Sequence, residues 1–314
     1  MRTGFIFPEL SGTGVSGVKR ISFEDGLIYS FRPELASVAT VQSGETMEFV
    51  CQDSCGGLIR SEKDTLDRLD FNRVNGATGP VQVADSRPGD VLRIRIKQIQ
   101  VAREGFLSIL PKAGVLGDDV PEPKTKMVPL DGDVAVFSKG VRLPIRPHVG
   151  TIGVAPRDKE WTTFYPGDHG GNLDTKEICQ GHAVYLPVFQ PGAQLAMGDI
   201  HALMADGEVC VTGIEIAGRV RVQVDVLRGP SLHRPVVETP KEWMALASAP
   251  TLDEAARLAT RDGVDLLSRG AKLPWEDAYM LASIACDLRI SQAVDPWRTA
   301  KLVIPKTLMR HLPA

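Results

Sequence analysis

The rest of the chain is organised around residues 148–215, which read HVGTIGVAPRDKEWTTFYPGDHGGNLDTKEICQGHAVYLPVFQPGAQLAMGDIHALMADGEVCVTGIE. Ionisable side chains are interleaved there with glycines, which let backbones approach closely or adopt a positive φ. An apolar run between Gly181 and Pro191, AVYLPVF (183–189), has the composition of a buried strand. Reactive groups on glycine-rich loops at the ends of buried strands are typical of an active site. The stretch therefore predicts a β-rich core that carries a functional site.

Strand signals continue on both sides of this stretch. SVATVQSGETMEFVCQDS (37–54) predicts two strands about a turn at Gly44. VLRIRIKQIQV (91–101) alternates apolar and polar residues, with a slip at Ile99 that predicts a bulge. Residues 103–147 are predicted to be rich in loops. Strands joined by short turns argue against a parallel doubly wound sheet, and the chain has no GxGxxG or GxxxxGK[ST] motif.

The character of the sequence changes after Pro250. Two segments with apolar residues at helical spacing predict two helices, and the chain then finishes in two short strand-like runs. We therefore predict a mainly β (α+β) fold, with a barrel- or sandwich-like body and a C-terminal helical segment. The predicted parts are an N-terminal β-rich part (1–147), a central β-rich catalytic part (148–250) and an α+β segment packed on the body (251–314).

Composition and charge narrow the possible classes of function. The chain of 314 residues is 43% hydrophobic and 24% charged, with a net charge of −3, which is ordinary globular composition. Without a basic run or a basic-aromatic platform, no nucleic-acid partner is expected. No apolar segment is long enough to span a bilayer, and no signal peptide is recognised. Five irregularly spaced cysteines suit a reducing compartment, so we expect a cytoplasmic protein.

Histidine and carboxylate side chains near residue 200 suggest a metal site. His201 lies in GDIHALMADGE (198–208), together with Asp199, Asp206 and Glu208. On a strand, Asp199 and His201 would share a face. Histidine with carboxylates is a ligand set for zinc or a similar divalent ion, although the spacing is not a diagnostic one such as HExxH. A lone histidine is also often only structural.

Further candidates lie on loops before this motif. Asp53, which follows an apolar strand, is either a turn aspartate or a functional carboxylate. In HGGNLD (169–174), Asn172 and Asp174 are either capping or Asx-turn residues, or an amide that orients substrate beside a carboxylate ligand. His169 is a weaker candidate for substrate binding, because a histidine on a loop can be simply a surface residue.

Glu208 and Glu215 flank the apolar run VCVTGI (209–214). An odd spacing places two residues of a regular strand on opposite faces. Both carboxylates could therefore enter one site only if Gly213 marked a bulge or bend. We choose Glu208 as the general acid/base, because it shares a loop with His201.

Several of these motifs, taken in order, resemble the acetamidase/formamidase family of amide hydrolases. The central ones are GTIGVAP (150–156), PGDHGGNLD (166–174) and VYLPVFQPGAQLAMGDIHALMADGEVCVTGIE (184–215). The flanking ones are VQSGETMEFVCQDSCGGLI (41–59), GPVQVADSRPGDVLRIRI (79–96) and EDAYMLASIACDLRISQAV (276–294). The resemblance covers most of the chain. It implies a soluble enzyme that cuts small linear amides to a carboxylate and ammonia.

The resemblance also implies that Asp53 faces the central site and is a functional carboxylate. With the residue patterns, it leads us to expect a divalent metal ion, zinc, that activates water, and Glu208 as the group that moves the proton. The candidates are the metal ligands Asp53, Asp174 and His201, the catalytic carboxylates Glu208 and Glu215, and the substrate-binding residues His169 and Asn172.

Two alternatives stay open at this point. One is a lactamase or carbamate-type hydrolase on the same scaffold, and the other is a non-catalytic β-rich protein that binds a small molecule. A homo-oligomer, by default a symmetric dimer, is expected from the family resemblance and from Trp275, Tyr279 and Met280, which lie close together in the C-terminal segment.

Overall fold

The computed structural model describes residues 18–229 and 231–313. Its strands are β1 Lys19–Ser22, β2 Leu27–Ile28, β3 Ser30–Phe31, β4 Ala39–Val41, β5 Thr46–Cys51, β6 Ala77–Val83, β7 Val91–Val101, β8 Glu104–Ile109, β9 Lys124–Asp131, β10 Val134–Ser138, β11 Val141–Pro144, β12 His148–Gly153, β13 Trp161–Thr162, β14 Gly170–Asn172, β15 Ala183–Pro187, β16 Leu195–His201, β17 Gly218–Leu227, β18 Val236–Glu238, β19 Glu242–Ala249, β20 Asp287–Gln292 and β21 Arg298–Pro305. The helices are α1 Leu252–Ala271 and α2 Trp275–Ala285, with 3₁₀ turns at Leu66–Arg68, Phe71–Arg73 and Gly117–Asp119.

Most of these strands belong to two sheets. The large sheet has nine strands in the order β1-β5-β17-β7-β15-β18-β19-β21-β20. The central sheet has the order β14-β12-β16-β6-β2, with β4 paired to β6. Almost all neighbours are antiparallel, as the short turns in the sequence indicate. The large sheet draws strands from all three predicted parts of the chain, and the division into those parts stays a prediction.

The large and central sheets pack face to face. Their inward side chains form one core, with Phe49 and Ile94 from the large sheet and Ile152 and Met197 from the central sheet, all fully buried. Removing such a side chain from water stabilises the fold by about 1.5–3 kcal/mol. The predicted β-rich, sandwich-like body is confirmed.

Strand β7 carries the bulge that its sequence predicts. Arg221 of β17 lies opposite Gln98, whereas the next residue, Val222, lies opposite Ile96. Lys97 is therefore left without a partner in the ladder, and the alternation of buried residues shifts before Ile99, as expected for an inserted residue.

The C-terminal segment forms the two predicted helices and a strand pair. The hydroxyl of Thr251 caps α1 by accepting from the backbone N–H of Glu254 at 3.3 Å. Buried residues of α1, among them Val264 and Leu267, share a second core with Trp243 of β19 and Leu302 of β21. Among the described residues, no helix has the length and apolar character to cross a membrane.

The prediction for residues 103–147 is wrong in one respect. Strands β8 to β11 form a four-stranded sheet where the sequence predicts mainly loop. Every residue of β11 is exposed, so this strand has no buried face to produce an alternating pattern. The turn between β9 and β10 is made by Gly132 at a φ of +59°.

Candidate active site

One large cavity opens beside the central sheet, with a volume of about 500 Å³. Buried ionisable side chains gather on part of its wall, around one histidine. We call this group the acidic cluster. Its members are His201, Asp174, Asp199, Glu208, Glu215 and Asp295.

His201 lies at the centre of the acidic cluster. Its Nε2 is 2.8 Å from Glu215 Oε1, and 3.6 Å from both Asp199 Oδ1 and Glu208 Oε1. Its Nδ1 is 3.8 Å from Asp174 Oδ1. Asp199 and His201 both come from β16 and both line the cavity, as the period of a strand predicts.

A second histidine fixes the orientation of the His201 ring. His148 Nδ1 is 3.2 Å from the carbonyl oxygen of Arg146, so we assign it as a donor. His148 Nε2 then accepts from His201 Nδ1 at 3.3 Å. Burial lowers the pKa of His148 well below its usual value. Burial acts in the same direction on His201, but Glu215 and Asp199 outweigh it and raise its pKa. His201 therefore turns Nε2 toward the carboxylates.

Glu208 and Glu215 reach the same cavity because the segment between them is not a regular strand. Glu208 has a φ of +45°, and the residues that follow it form a turn. Glu215 pairs with Phe106 through two backbone hydrogen bonds of 2.9 and 3.0 Å. A Cβ at Gly213 would lie 2.9 Å from the ring of His201. Glu208 and Glu215 therefore do not lie on opposite faces of one strand. The chain bends between Glu208 and Gly213, and this bend lets both carboxylates enter the cavity.

The C-terminal strands hold the backbone beside Glu208. The N–H of Gly207 donates to the carbonyl of Ser291 at 2.9 Å, and the Gly207 carbonyl accepts from Ala293 at 3.0 Å. The neighbouring Asp206 accepts from Lys301 Nζ at 2.7 Å. Glu208 is thus positioned by residues more than eighty positions away, which its local sequence could not indicate.

Lys301 is the buried cation of this region. It is fully buried, and its Nζ also donates to Glu177 Oε2 at 2.6 Å. Lys176 contacts the same two carboxylates from the surface side. A buried charge needs such partners, because removing an ion from water costs several kcal/mol.

Two carboxylates of the cluster approach each other over a glycine. A Cβ at Gly150 would lie 2.5 Å from Asp199 Oδ2 and 2.6 Å from Asp174 Oδ1, so only glycine leaves room for both. Burial raises the pKa values of Asp174 and Asp199 well above the usual range. Asp174 Oδ1 and Glu215 Oε2 find no hydrogen-bond partner among the described residues. A bound cation could satisfy buried acceptors of this kind.

Asn172 and Asp295 form a further contact on the cavity wall. The Asn172 amide donates to Asp295 Oδ2 at 2.9 Å, and its oxygen accepts from Asn75 at 2.9 Å and from the hydroxyl of Thr151. Burial raises the pKa of Asp295 to about 7. Sequence analysis missed Asp295, which follows β20 in a segment without any local site signal.

Two predicted site residues lie outside this group. Asp53 Oδ1 accepts from the backbone N–H groups of Cys55 and Gly57 at 3.0 Å each, the pattern of a turn aspartate. Burial raises its pKa to about 6. His169 is buried against Phe31 and Trp161 and does not line the cavity. The cavity lining includes Glu208, Glu215, Asn172, Asp174 and His201, but neither Asp53 nor His169.

The donor set of the acidic cluster suits a divalent cation. Two groups of three residues share His201, and within each group the possible ligand atoms all lie within 4.8 Å of one another. One group adds Asp174 and Asp199, and the other adds Glu208 and Glu215. Imidazole and carboxylate are zinc ligands, and the orphaned carboxylate oxygens would gain a partner. Asp53 belongs to neither group among the described residues.

The sequence model described as "Acetamidase/Formamidase family" matches residues 21–161 and 158–311. The chain belongs to this family. The amide-hydrolase resemblance of the sequence motifs is thereby confirmed. The crystal structure of an acetamidase from Bacillus halodurans is similar, with a TM-score of 0.90 and 43% identity over 92% of this chain and 97% of that one.

Less similar members of the acetamidase/formamidase family match a smaller share of this chain. A formamidase from Methylophilus methylotrophus is 26% identical over 268 residues, 65% of each chain. The chain spans just under two thirds of the length of the curated relatives it matches. The structure of a γ-lactamase from Delftia acidovorans is similar over 92% of this chain and 90% of the lactamase chain, with a TM-score of 0.64 and 22% identity. This similarity shows a shared fold alone.

Proposed function

We propose that this protein hydrolyses small linear amides to a carboxylate and ammonia. The observation that carries the proposal is the buried acidic cluster around His201, on the wall of a cavity in a chain of the acetamidase/formamidase family. The names acetamidase and formamidase, given to relatives of similar sequence, support the same reaction class. Hydrolysis of an amide needs an activated water, a polarised carbonyl and a proton for the leaving nitrogen.

We propose that Asp174, Asp199 and His201 hold a divalent ion, zinc, with Glu215 beside them. When bound, such an ion lowers the pKa of water and polarises a carbonyl. The hydrogen bond from His201 Nδ1 to His148 keeps the ring in the orientation that a ligand histidine requires. Asp53, whose Oδ1 is used within its own turn, is the weaker ligand candidate.

Glu208 is our candidate for the acid/base. Glu215 is engaged by His201 at 2.8 Å, whereas Glu208 lies 3.6 Å from the same ring, too far for a hydrogen bond. A carboxylate without that hydrogen bond can accept a proton from water as the water oxygen bonds to the carbonyl carbon. It then returns the proton to nitrogen as the C–N bond breaks, and the bonding electrons leave with nitrogen.

The proposed substrate-binding residues differ in their surroundings. Both ends of the Asn172 amide are used within the protein, which favours a role in orienting Asp295 over a direct bond to substrate. The ring of His169 packs against Phe31 and Trp161. A contact of His169 with substrate stays a prediction from the sequence.

Product analysis tests the proposed reaction and its two alternatives together. Purified protein is incubated with butanamide or with 2-pyrrolidinone, a γ-lactam of the same carbon number, and products are followed by NMR and an ammonia assay. We expect one ammonia and one butanoate for each butanamide consumed. Ring opening of the lactam without turnover of butanamide would establish a lactamase instead. Turnover of neither would favour a binding protein.

We propose that the protein is a cytoplasmic homo-oligomer, by default a dimer. Trp275, Tyr279 and Met280 of α2 are exposed, as are Leu288 and Ile290 of β20, the last strand in the order of the large sheet. Exposed apolar side chains, and an edge strand that has one partner among the described residues, suit contact with a second copy of the same chain. The five cysteines are free, which supports a reducing compartment.

Light scattering tests the oligomer. We expect a mass of about twice 34.0 kDa at micromolar concentration, and a lower mass for Met280→Glu, which places a charge among the exposed apolar side chains of α2. The matched control is Leu143→Glu on exposed β11, which should keep the mass of the wild type. A monomeric wild-type protein would contradict the proposal.

A further inference from the structure

We infer that the amide taken by this site carries an apolar acyl group larger than that of formamide or acetamide, an alkyl chain or an aryl group. The inference rests on the proposed amide hydrolysis and adds the class of substrate. Three features of the cavity carry it, namely its volume, the chemistry of its walls and the position of the acidic cluster.

The cavity is large for the smallest amides. Its volume of about 500 Å³ corresponds to roughly sixteen water molecules at about 30 Å³ each. Formamide and acetamide have three and four non-hydrogen atoms, so each would fill roughly a quarter of that space or less. Cavities of this size usually enclose most of the surface of a larger ligand.

The walls away from the acidic cluster are mainly apolar, although uncharged polar residues such as Asn72 and Thr162 also line them. They include Leu66, Leu69 and Phe71 from the segment before β6, and Phe164 from the loop after β13. Among the described residues, neither lysine nor arginine lines the cavity, and every lining carboxylate belongs to the acidic cluster. A negatively charged acyl group would therefore find no counter-charge, whereas an apolar group would be removed from water by these walls.

Part of this wall is exposed to solvent. The side chain of Phe71 is 48% exposed, and its ring centroid lies 6.3 Å from that of Phe164. Exposed apolar side chains that converge on a cavity mark a binding surface for an apolar ligand. Aromatic rings at this separation can also contact an aryl group of the ligand.

The acidic cluster determines which end of the amide meets these walls. The nitrogen takes up a proton as the C–N bond breaks, and ammonia becomes ammonium in neutral water. Carboxylates stabilise that developing positive charge, so the nitrogen faces the cluster. The acyl substituent then projects toward Phe71 and Phe164. A large substituent on nitrogen would instead have to lie among the carboxylates, so we assign the apolar group to the acyl side.

A series of primary amides tests the inference. Ammonia release is measured for acetamide, butanamide, hexanamide, phenylacetamide and succinamate, the last with a carboxylate on its acyl chain. We expect kcat/KM to rise roughly fourfold for each buried methylene, which is about 250-fold over the four methylenes from acetamide to hexanamide. Succinamate should be slower than butanamide.

The outcomes separate this inference from the proposed function. Ammonia release that is as fast from acetamide as from hexanamide and phenylacetamide would overturn the substrate class while leaving amide hydrolysis in place. Absence of ammonia from every amide would overturn the proposed function, and this inference with it.

A pair of matched variants tests the assigned wall. Phe71 and Phe137 are both exposed, at 48% and 39%, but only Phe71 lines the cavity. We expect Phe71→Ala to lower the ratio of kcat/KM for phenylacetamide to that for acetamide by about tenfold, and Phe137→Ala to leave the ratio unchanged. A Phe71→Ala protein with the wild-type ratio would overturn the assignment of this wall to the acyl group.

Discussion

Replacement of Glu208 by glutamine is expected to lower kcat for amide hydrolysis by on the order of a hundredfold or more, the usual contribution of a general acid/base. Glutamine keeps the shape of the side chain but cannot accept and return a proton. Glu208 lines the cavity from a loop whose backbone is hydrogen-bonded to Ser291 and Ala293. Glu208→Gln should therefore not displace the backbone of this loop. Ammonia release under saturating amide, with metal content and circular dichroism measured alongside, checks this expectation.

Glu215→Gln is the matched control. The Glu215 carboxylate accepts from His201 at 2.8 Å, and its backbone is paired with Phe106. Glutamine can still accept this buried bond, but without the negative charge, so Glu215→Gln should destabilise the protein by about 1 kcal/mol and lower turnover less than Glu208→Gln does. An inactive Glu215→Gln protein with normal metal content, beside a nearly normal Glu208→Gln protein, would show that the two carboxylates have the opposite roles.

Lys301→Met is expected to lower the free energy of unfolding by about 3–5 kcal/mol, the usual effect of removing one partner of a buried ion pair. Lys301 is fully buried, and its Nζ contacts Glu177 and Asp206 at 2.6 and 2.7 Å. Methionine fills much of the same space but leaves the two carboxylates without their buried cation. Denaturant unfolding followed by fluorescence provides the measurement.

The matched control for Lys301 is Lys306, which directly follows the same strand, β21. Lys306 forms an ion pair with Glu238 at 2.6 Å as β21 ends, where both side chains are about a quarter exposed. Solvent screens this pair, so Lys306→Met should cost about 0–1 kcal/mol. Equal losses for the two variants would mean that burial of Lys301 does not determine its contribution.

Local patterns predicted much of the body. The alternation in 91–101 gave both strand β7 and its bulge, because the buried face of a sheet selects every second residue. The change in sequence character after Pro250 indicated where α1 begins, and in the structure Thr251 caps that helix. Strand β11 was missed because all of its residues are exposed, so packing does not impose an alternating pattern on it.

The site was predictable only where one element supplies neighbouring residues. Asp199 and His201 lie two apart on β16, so their common face followed from the period of a strand. Asp295 interacts electrostatically with Asp199, and Lys301 Nζ donates to Asp206. The two residues of each pair are more than ninety positions apart in the chain, so no local motif encodes these contacts. His169 could be placed only by the aromatic rings that bury it.

The measurement that tests the central claim most directly is the rate of ammonia release from hexanamide by wild-type protein of known metal content, before and after chelation. We predict about one divalent ion per chain, as in a mononuclear site, loss of ammonia release when that ion is removed, and recovery when zinc is supplied. Unchanged ammonia release from fully metal-free protein would contradict the proposal that the acidic cluster around His201 works with a bound ion.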